Sequence, residues 1–421
     1  MNYEESLAFI GSVYWKGSVP GLERISELCR LLGSPEKKVR FVHVAGTNGK
    51  GSVSAIISSV LTASGYKTGL YTSPHLIDYT ERFKIDGEDI GKDDFCRVAE
   101  TVKAQAEKMS DAPTEFEILT AMAFVYFAAR GCDVAVLECG MGGRLDATNV
   151  IGTPVLSVIT NVALDHTATL GDTELLIARE KAGIIKDAPV VLGKTSADVE
   201  KYIKDVCRNH GVRCAGYKSA KIGCDKVTEN GVSFKYAGHP MTLPLCGDYQ
   251  RINLRTALTS IEELRAAGFA IPDDAIDEGI SSVKWIGRFE KLANDPPVYF
   301  DGAHNPDGAR YAVKTFEKLF PARRAVVVTG VMADKDYRSA ASVISRIASV
   351  VYCVKPDNPR ALDPASLADV YRSFGVEAHA AESVDEGVRL ALEAAGNCVV
   401  LCTGSLYMYG EIKRAVEDLT N

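Results

Sequence analysis

The segment Gly46-Thr47-Asn48-Gly49-Lys50-Gly51-Ser52 carries the residue types that hold a nucleoside triphosphate. Its glycines let main-chain N–H groups turn toward phosphate oxygens, and a helix starting there adds its partial positive charge. Lys50 offers a point charge to the β- and γ-phosphates, and the Ser52 hydroxyl is a magnesium ligand by type. The usual pattern has four residues between its first glycine and the Gly-Lys pair. Here only Thr47 and Asn48 separate Gly46 from the Gly-Lys pair, so the spacing is shorter than usual. A Gly-rich turn that binds nothing is the bland alternative. An apolar strand before it and a helical pattern after it argue for phosphate binding.

Further candidates lie at the ends of other apolar runs. Tyr71-Thr72-Ser73-Pro74-His75-Leu76 follows a short strand pattern, where open α/β sheets place ligand-contacting loops; a plain Pro turn is its alternative. Glu138 ends an apolar strand beside the phosphate loop, a natural place for a magnesium carboxylate. Gly140 to Asn149 follows it with three glycines, Arg144 and Asp146, an anion clamp beside a carboxylate. His166 closes Thr160-Asn-Val-Ala-Leu-Asp-His166 at another strand end, although a lone histidine is usually a satisfied polar residue. Glu180-Lys-Ala-Gly-Ile-Ile-Lys186 reads by composition as a helix end with surface lysines. Asp301-Gly-Ala-His304-Asn305-Pro306 offers Asp301 to a ribose hydroxyl or a phosphate-bound group. Asn305 before Pro306 is also a helix N-cap with Pro at the first helical position.

The elements that must position these residues alternate. Arg40–Ala45, Thr68–Thr72, Cys132–Glu138 and Val155–Thr160 read as strands, and Lys50–Ser64 and Glu117–Arg130 as helices. Strands alternating with helices predict a mainly parallel sheet covered on both faces. Gly211–Leu245 has short β-like runs and is expected to form an antiparallel subregion, with helix returning at Asn253–Ala267. Ala293-Asn-Asp-Pro-Pro297 reads as an interdomain linker and hinge. Beyond it the alternation restarts at Val298–Phe300, Ala325–Thr329, Val350–Val354 and Cys398–Cys402. The expectation is an α/β chain of two domains, residues 1–293 and 298–421.

The chain has 421 residues, 46% hydrophobic and 24% charged, near the averages of soluble globular proteins. A net charge of −7 gives no sign of a general nucleic-acid binder. The 11 cysteines form no CxxC pair, which fits a reducing cytosol rather than a disulfide framework or a zinc site. Met1-Asn-Tyr-Glu-Glu lacks the features of a signal peptide, and no apolar run reaches the ~18 residues of a membrane span. A cytoplasmic protein with no membrane partner is expected.

Taken in order, these motifs resemble the folylpolyglutamate synthases, including the bifunctional dihydrofolate synthase form, within the Mur ligase superfamily. The resemblance runs almost end to end: Val44–Ser52, Thr72–Leu76, Gly140–Asn149, Leu164–His166, Glu180–Lys186, Trp285–Arg288, Asp301–Asn305 and Thr403–Tyr407. Thr72-Ser-Pro-His together with Gly-Gly-Arg-Leu-Asp separates this branch from the cell-wall ligases. Ser52 stands where threonine is more frequent and keeps the hydroxyl.

The resemblance implies a P-loop-type, mainly parallel ATPase domain that also binds folate, and a smaller Rossmann-like glutamate ligase domain. It implies two magnesium ions held by Ser52, Ser73, Glu138, His166 and a carbamylated Lys181. ATP would be bound by Thr47, Asn48, Gly49, Lys50, Gly51, Ser52, Asn253, Arg288 and Asp301. The pteroate or folate site would be Pro20, Gly21, Leu22, Thr114, Glu115, Phe116, Glu117, Leu145, Asp146 and Ala147. Lys50, Lys181, Asp146 and His304 are the expected catalytic residues. The implied reaction joins L-glutamate to folate or dihydropteroate through an acyl phosphate, in a monomer whose domains close about the linker. The rivals are a Mur-type ligase with a cell-wall acceptor and a nucleotide switch without ligase activity. The second leaves Gly-Gly-Arg-Leu-Asp and Asp301–Asn305 unexplained.

Overall fold

The computed structural model describes residues 1–17 and 19–420. The run Phe41-Val-His-Val-Ala45 is apolar on both faces except at His43, as a strand covered on both sides must be. It forms β1 (Arg40–Ala45), buried after its first residue. Around it lie β2 (Thr68–Tyr71), β3 (Phe83–Ile85), β4 (Glu88–Asp89), β5 (Val134–Glu138), β6 (Leu156–Ile159), β7 (Val190–Leu192) and β8 (Cys214–Gly216). They form one sheet in the order β4-β3-β2-β5-β1-β6-β7-β8. From β2 to β8 neighbouring strands are parallel, and β3 and β4 add an antiparallel edge.

Helices cover this sheet because their apolar stripes require a partner surface. Tyr3–Gly11, Glu23–Leu31, Lys92–Ala106 and Glu115–Ala129 build one core with Phe41, Tyr71, Phe83 and Leu137. Phe41 meets Phe124 edge-on at a centroid distance of 5.6 Å. Burying each such aromatic ring contributes about 1.5–3 kcal/mol. The helices Glu174–Ala182 and Ala197–Asn209 cover β6 and β7 through Ile177, Ile203, Ile159 and Leu192. Helix Lys50–Ala63 packs against Asp273–Ser281. These elements, with most of helix Gln250–Ala266, make the first compact unit: Met1–Ala163, Thr167–Ile222 and Ile252–Val283.

The second unit comprises Leu164–His166, Gly223–Arg251 and Lys284–Asn421. Strands β9 (Ile222–Thr228), β10 (Gly231–Tyr236) and β11 (His239–Leu243) form a three-stranded sheet in which β10 and β11 run antiparallel. The antiparallel subregion therefore starts at Ile222; Cys214–Gly216 pairs in parallel with β7 instead. A six-stranded sheet, order β12-β13-β17-β14-β15-β16, contains β12 (Glu290–Asn294), β13 (Pro297–Asp301), β14 (Ala325–Thr329), β15 (Ala348–Cys353), β16 (Glu377–Ala380) and β17 (Val399–Thr403). Its strands are parallel except for the edge pair β12–β13. Its core gathers Phe289, Tyr299, Phe316 and Phe320.

The linker expectation at Ala293–Pro297 needs correction. Those residues are the end of β12, the Asp295-Pro296 turn and the start of β13, with Asn294 opposite Pro297. The chain re-enters the second unit at Lys284. A Pro-Pro step punctuates a hairpin turn as well as a linker, because both need a break in the donor pattern. Gly223–Arg251 also clusters with the second unit, ahead of the boundary read from sequence.

Candidate active site

Strand order reverses around β1: its neighbours are β5 and β6, while β2 lies beyond β5. Ligands bind outside the carboxyl ends of strands at such a switch point. Because β1, β2, β5 and β6 run parallel, their following loops emerge on one edge: Gly46–Gly49, Thr72–Leu76, Cys139–Asn149 and Thr160–Ala163. Four motifs distant in sequence are thereby brought together.

The phosphate loop is pinned from below. Thr47 donates its main-chain N–H to Asn161 O at 3.1 Å, and Asn48 donates its own to Asn161 Oδ1 at 2.7 Å. Thr160 Oγ1 donates to Asn48 O at 2.6 Å, and Thr47 Oγ1 to Ala163 O at 3.0 Å. Thr160 and Asn161 were visible in the sequence beside His166, but nothing there showed that they clasp the loop. Gly49 caps helix Lys50–Ala63 with φ +83°. A Cβ on it would collide with Asn253 Oδ1, which places Asn253 against the loop. Lys50 Nζ turns back onto Gly46 O at 3.1 Å and Thr47 O at 3.4 Å. Ser52 is buried in the first helical turn.

Beside the loop, Glu138 is buried at the end of β5, and its Oε2 accepts the Ser73 N–H at 3.2 Å. The Ser52 and Ser73 hydroxyls and the Glu138 carboxylate are hard oxygen donors. That chemistry suits a magnesium ion which draws its other ligands from phosphate and water. Among the described residues no three His, Cys, Asp or Glu side chains gather as a metal cage. Lys181 is buried in the last turn of Glu174–Ala182, and its ammonium, like that of Lys50, is felt at the Cys139 sulfur.

Asp146 is committed within its own loop. Its Oδ2 accepts the Met141 N–H at 2.8 Å, and its Oδ1 accepts the Thr148 N–H at 3.0 Å and the Thr148 hydroxyl at 2.5 Å. Burial raises its carboxyl above the usual range, against the pull of these donors and of Lys50. It positions the Gly-rich loop. Thr148 continues to His43 Nε2 at 2.9 Å, which also lies 3.1 Å from Cys139 Sγ.

The three segments expected for the acceptor meet. Gly21 N lies 3.5 Å from Leu145 O, and a Cβ on Gly140 would press into the Phe116 ring. Thr114 and Glu117 form the capping box of Glu115–Ala129. Glu117 Oε2 also accepts from Arg24 Nε at 3.0 Å, while its buried Oε1 is without a hydrogen-bond partner. Tyr79 donates its hydroxyl to Glu115 at 3.0 Å, and its ring packs tilted against His75 at a centroid distance of 4.1 Å. Arg24 and Tyr79 were not singled out from sequence; no motif marks them.

In the second unit, Asp301 ends β13 with its carboxylate buried. It accepts from the Tyr249 hydroxyl at 2.6 Å, the Phe289 N–H at 3.0 Å and the Ala303 N–H at 2.9 Å. Burial raises its carboxyl, opposed by Tyr249 and the nearby Arg288 guanidinium. Asn305 caps Pro306–Leu319 as expected. Asp165 pairs with Lys335 at 2.6 Å, accepts from Asn305 Nδ2 at 3.1 Å and lies 3.5 Å from His304 Nε2. His166 Nε2 lies 3.2 Å from Lys335 Nζ. Burial would raise the Asp165 carboxyl, but His304, Lys335 and His166 hold it well below the usual range. Asp165 lay inside the Leu164–His166 motif without a role of its own, and Lys335 was not singled out from sequence.

His43 gives a test of the buried network. Burial, with Lys186 nearby, lowers its pKa from 6.5 to about 3. Between those values the unfolded chain binds a proton that the folded chain refuses, so stability falls as pH drops below 6.5. The loss between pH 7 and 5 is about 2 kcal/mol. His43→Asn removes this titration. Its urea midpoint, lower at pH 7, should drop less between pH 7 and 5 than that of the unaltered chain; equal drops would contradict the buried neutral imidazole.

No helix among the described residues is long and apolar enough to cross a membrane. Residues 44–261 match the Mur ligase middle domain, and residues 287–406 match the Mur ligase glutamate ligase domain. The dihydrofolate synthase/folylpolyglutamate synthase of Bacillus subtilis is 35% identical over 434 residues, covering 99% of each chain. The Mycobacterium tuberculosis folylpolyglutamate synthase complexed with ADP superposes with TM-score 0.90 at 32% identity, covering 99% of both chains. A folylpolyglutamate synthase–AMPPCP–folate complex superposes with TM-score 0.87 at 32% identity, covering 99% of this chain and 100% of that one. The order of the motifs, the convergence of four of them on one sheet edge and these likenesses agree: the chain belongs to the folylpolyglutamate synthase/dihydrofolate synthase family of Mur ligases.

Proposed function

We propose that the protein joins L-glutamate to a folate at the expense of ATP, and accepts dihydropteroate as a second acceptor. The observation that carries this reading is the convergence on one sheet edge of the phosphate loop, Glu138 and Ser73, and the loop that meets Pro20–Leu22 and Phe116. The acceptor carboxylate attacks the γ-phosphorus of ATP, giving an acyl phosphate and ADP. The glutamate amine attacks the acyl carbon, the tetrahedral intermediate expels phosphate, and the amine loses a proton. Positioning and fixed charge supply most of the acceleration.

In this reading Thr47–Ser52 and Asn253 cradle the nucleotide, and Arg288 and Asp301 are its further expected contacts. Pro20–Leu22, Thr114–Glu117 and Leu145–Ala147 hold the pterin-bearing acceptor. The partnerless Glu117 Oε1 supports this, because a buried acceptor without a donor fits a ligand rich in N–H groups. Ser52, Ser73, Glu138 and His166 would hold magnesium, with a carbamylated Lys181 helping to hold the second ion; the cations would neutralise charge on the phosphoryl oxygens. Asp146 keeps the Gly-rich loop in shape, and His304, beside Asp165, completes the group. In this reading the protein is a cytoplasmic monomer without nucleic-acid or membrane partners; the net charge of −7 disfavours a nucleic-acid partner.

The test is glutamate incorporation with tetrahydrofolate, dihydropteroate and a UDP-sugar peptide offered separately. Phosphate release that requires both glutamate and a pterin is expected. Release without glutamate, or with the UDP-sugar peptide alone, overturns the reading. Within it, Gly49→Ala forces a left-handed position and a clash with Asn253, costing about 1–3 kcal/mol. ADP affinity, measured calorimetrically, should weaken roughly tenfold to a hundredfold. An unchanged affinity would remove Gly49 from the cradle.

A further inference from the structure

Lys186 lies 186 − 181 = 5 residues beyond Lys181, past the end of helix Glu174–Ala182. Its ammonium donates to three main-chain carbonyls of another segment: Asn149 O at 3.1 Å, Gly152 O at 3.2 Å and Ile151 O. Three N–H donors thus meet three carbonyl acceptors, the full capacity of an ammonium. The cation draws the end of the Gly-rich loop onto itself as a bound metal ion would. Desolvating an ammonium is costly, and a methionine could fill the same space without that cost. Packing alone does not account for the lysine.

The same two segments interlock at further points. Arg144 donates its main-chain N–H to Glu180 O at 2.7 Å, and its guanidinium pairs with the Glu180 carboxylate at 2.9 Å. Asn149 Nδ2 bridges Arg144 O at 3.1 Å and Gly183 O at 3.0 Å. Gly183 must be glycine, because a Cβ there would collide with the Arg144 Cα and Cβ. Ser157 Oγ ties Ile184 O to β6 at 2.9 Å. The acceptor loop and the stretch that carries Lys181 are one body.

We propose that Lys186 is a positioning residue of the ligase reaction: it clamps the acceptor loop, Gly140 to Asn149, to the segment of Lys181, fixing the acceptor relative to that lysine. This rests on the roles given to the loop and to Lys181 in the proposed function. It predicts that acceptor binding and turnover depend on Lys186 while nucleotide binding does not, since the phosphate loop is held by Thr160–Ala163 instead.

The experiment compares Lys186→Met and Lys186→Arg with the unaltered enzyme. For Lys186→Met we expect about a tenfold rise in KM for tetrahydrofolate and about a tenfold fall in kcat, with ADP affinity unchanged. Lys186→Arg keeps the charge and the donors and should regain most of both. A folded Met variant with unaltered KM and kcat overturns the proposal, as does a parallel loss of ADP affinity. If the Met variant does not fold, amide hydrogen exchange on the unaltered enzyme decides. Tetrahydrofolate should slow exchange in residues 140–152 and 180–186 together; protection of the first segment alone overturns the clamp. An unaltered enzyme that turns over no pterin acceptor would sink the proposed function and this inference with it. Failure of the Lys186 arms in an active enzyme sinks only the clamp.

Discussion

Lys50→Ala should lower glutamate-dependent phosphate release by about 10³-fold. The side chain sits one residue inside the helix that starts after Gly49, and its ammonium now rests on Gly46 O and Thr47 O. Those contacts are weak substitutes for phosphate oxygens, so ATP draws the ammonium away at little cost. In the proposed function, removing it strips a full positive charge from the point where negative charge would spread over the transferring phosphoryl group. A single preorganised donor at such a point contributes about 2.7–4 kcal/mol to the barrier. The rest of the loop stays in place, because Asn161, Thr160 and Ala163 hold it through main-chain groups that the substitution leaves alone. The variant should therefore fold, bind ADP more weakly and hardly turn over. Coupled detection of ADP and phosphate reads the effect; near-normal turnover in a folded variant would remove Lys50 from the phosphate site.

Lys181→Ala carries the second large effect, a loss of about 10²-fold that short carboxylates partly restore. Lys181 is only 2% exposed, in a helix whose last turn is bound to the Gly-rich loop. A buried ammonium facing a cation would be repelled. If its neutral amine instead adds carbon dioxide and releases a proton, the resulting carbamate is an oxygen ligand of the kind magnesium takes. Truncation to alanine removes that ligand and leaves a space the size of the lost side chain. Formate or acetate fits such a space and supplies the missing oxygens. Activity assayed across a carboxylate titration separates the cases. A variant fully active without additive denies the carbamate, and one that no carboxylate restores denies that oxygen ligation is what was lost.

The phosphate loop, the glycines after Glu138, the Asp301–Asn305 turn and the strand–helix alternation could be read from the chain itself. Each is local. A glycine at a left-handed position, a strand covered on both faces and an Asn-Pro helix start depend on neighbours within a few residues, so their spelling survives in the sequence. The family follows from their order, and with it an expected role for Lys181, which no argument from charge would have selected.

What tertiary structure decided is pairing between distant segments. Asp146 is an expected catalytic carboxylate, and only the fold shows both its oxygens meeting Met141 and Thr148. Asp165 belonged to a motif without an assigned partner, and the fold drew it to Lys335 and Asn305. Ala293–Pro297 carried the signal of a break, and only strand pairing made that break a hairpin. Lys186 read as a surface lysine until the loop beginning at Gly140 was laid across it. Turn chemistry and periodicity say where a chain bends and which face it buries. Which donor meets which acceptor across the sheet edge depends on strand order and helix packing, and these emerge only when the whole core closes.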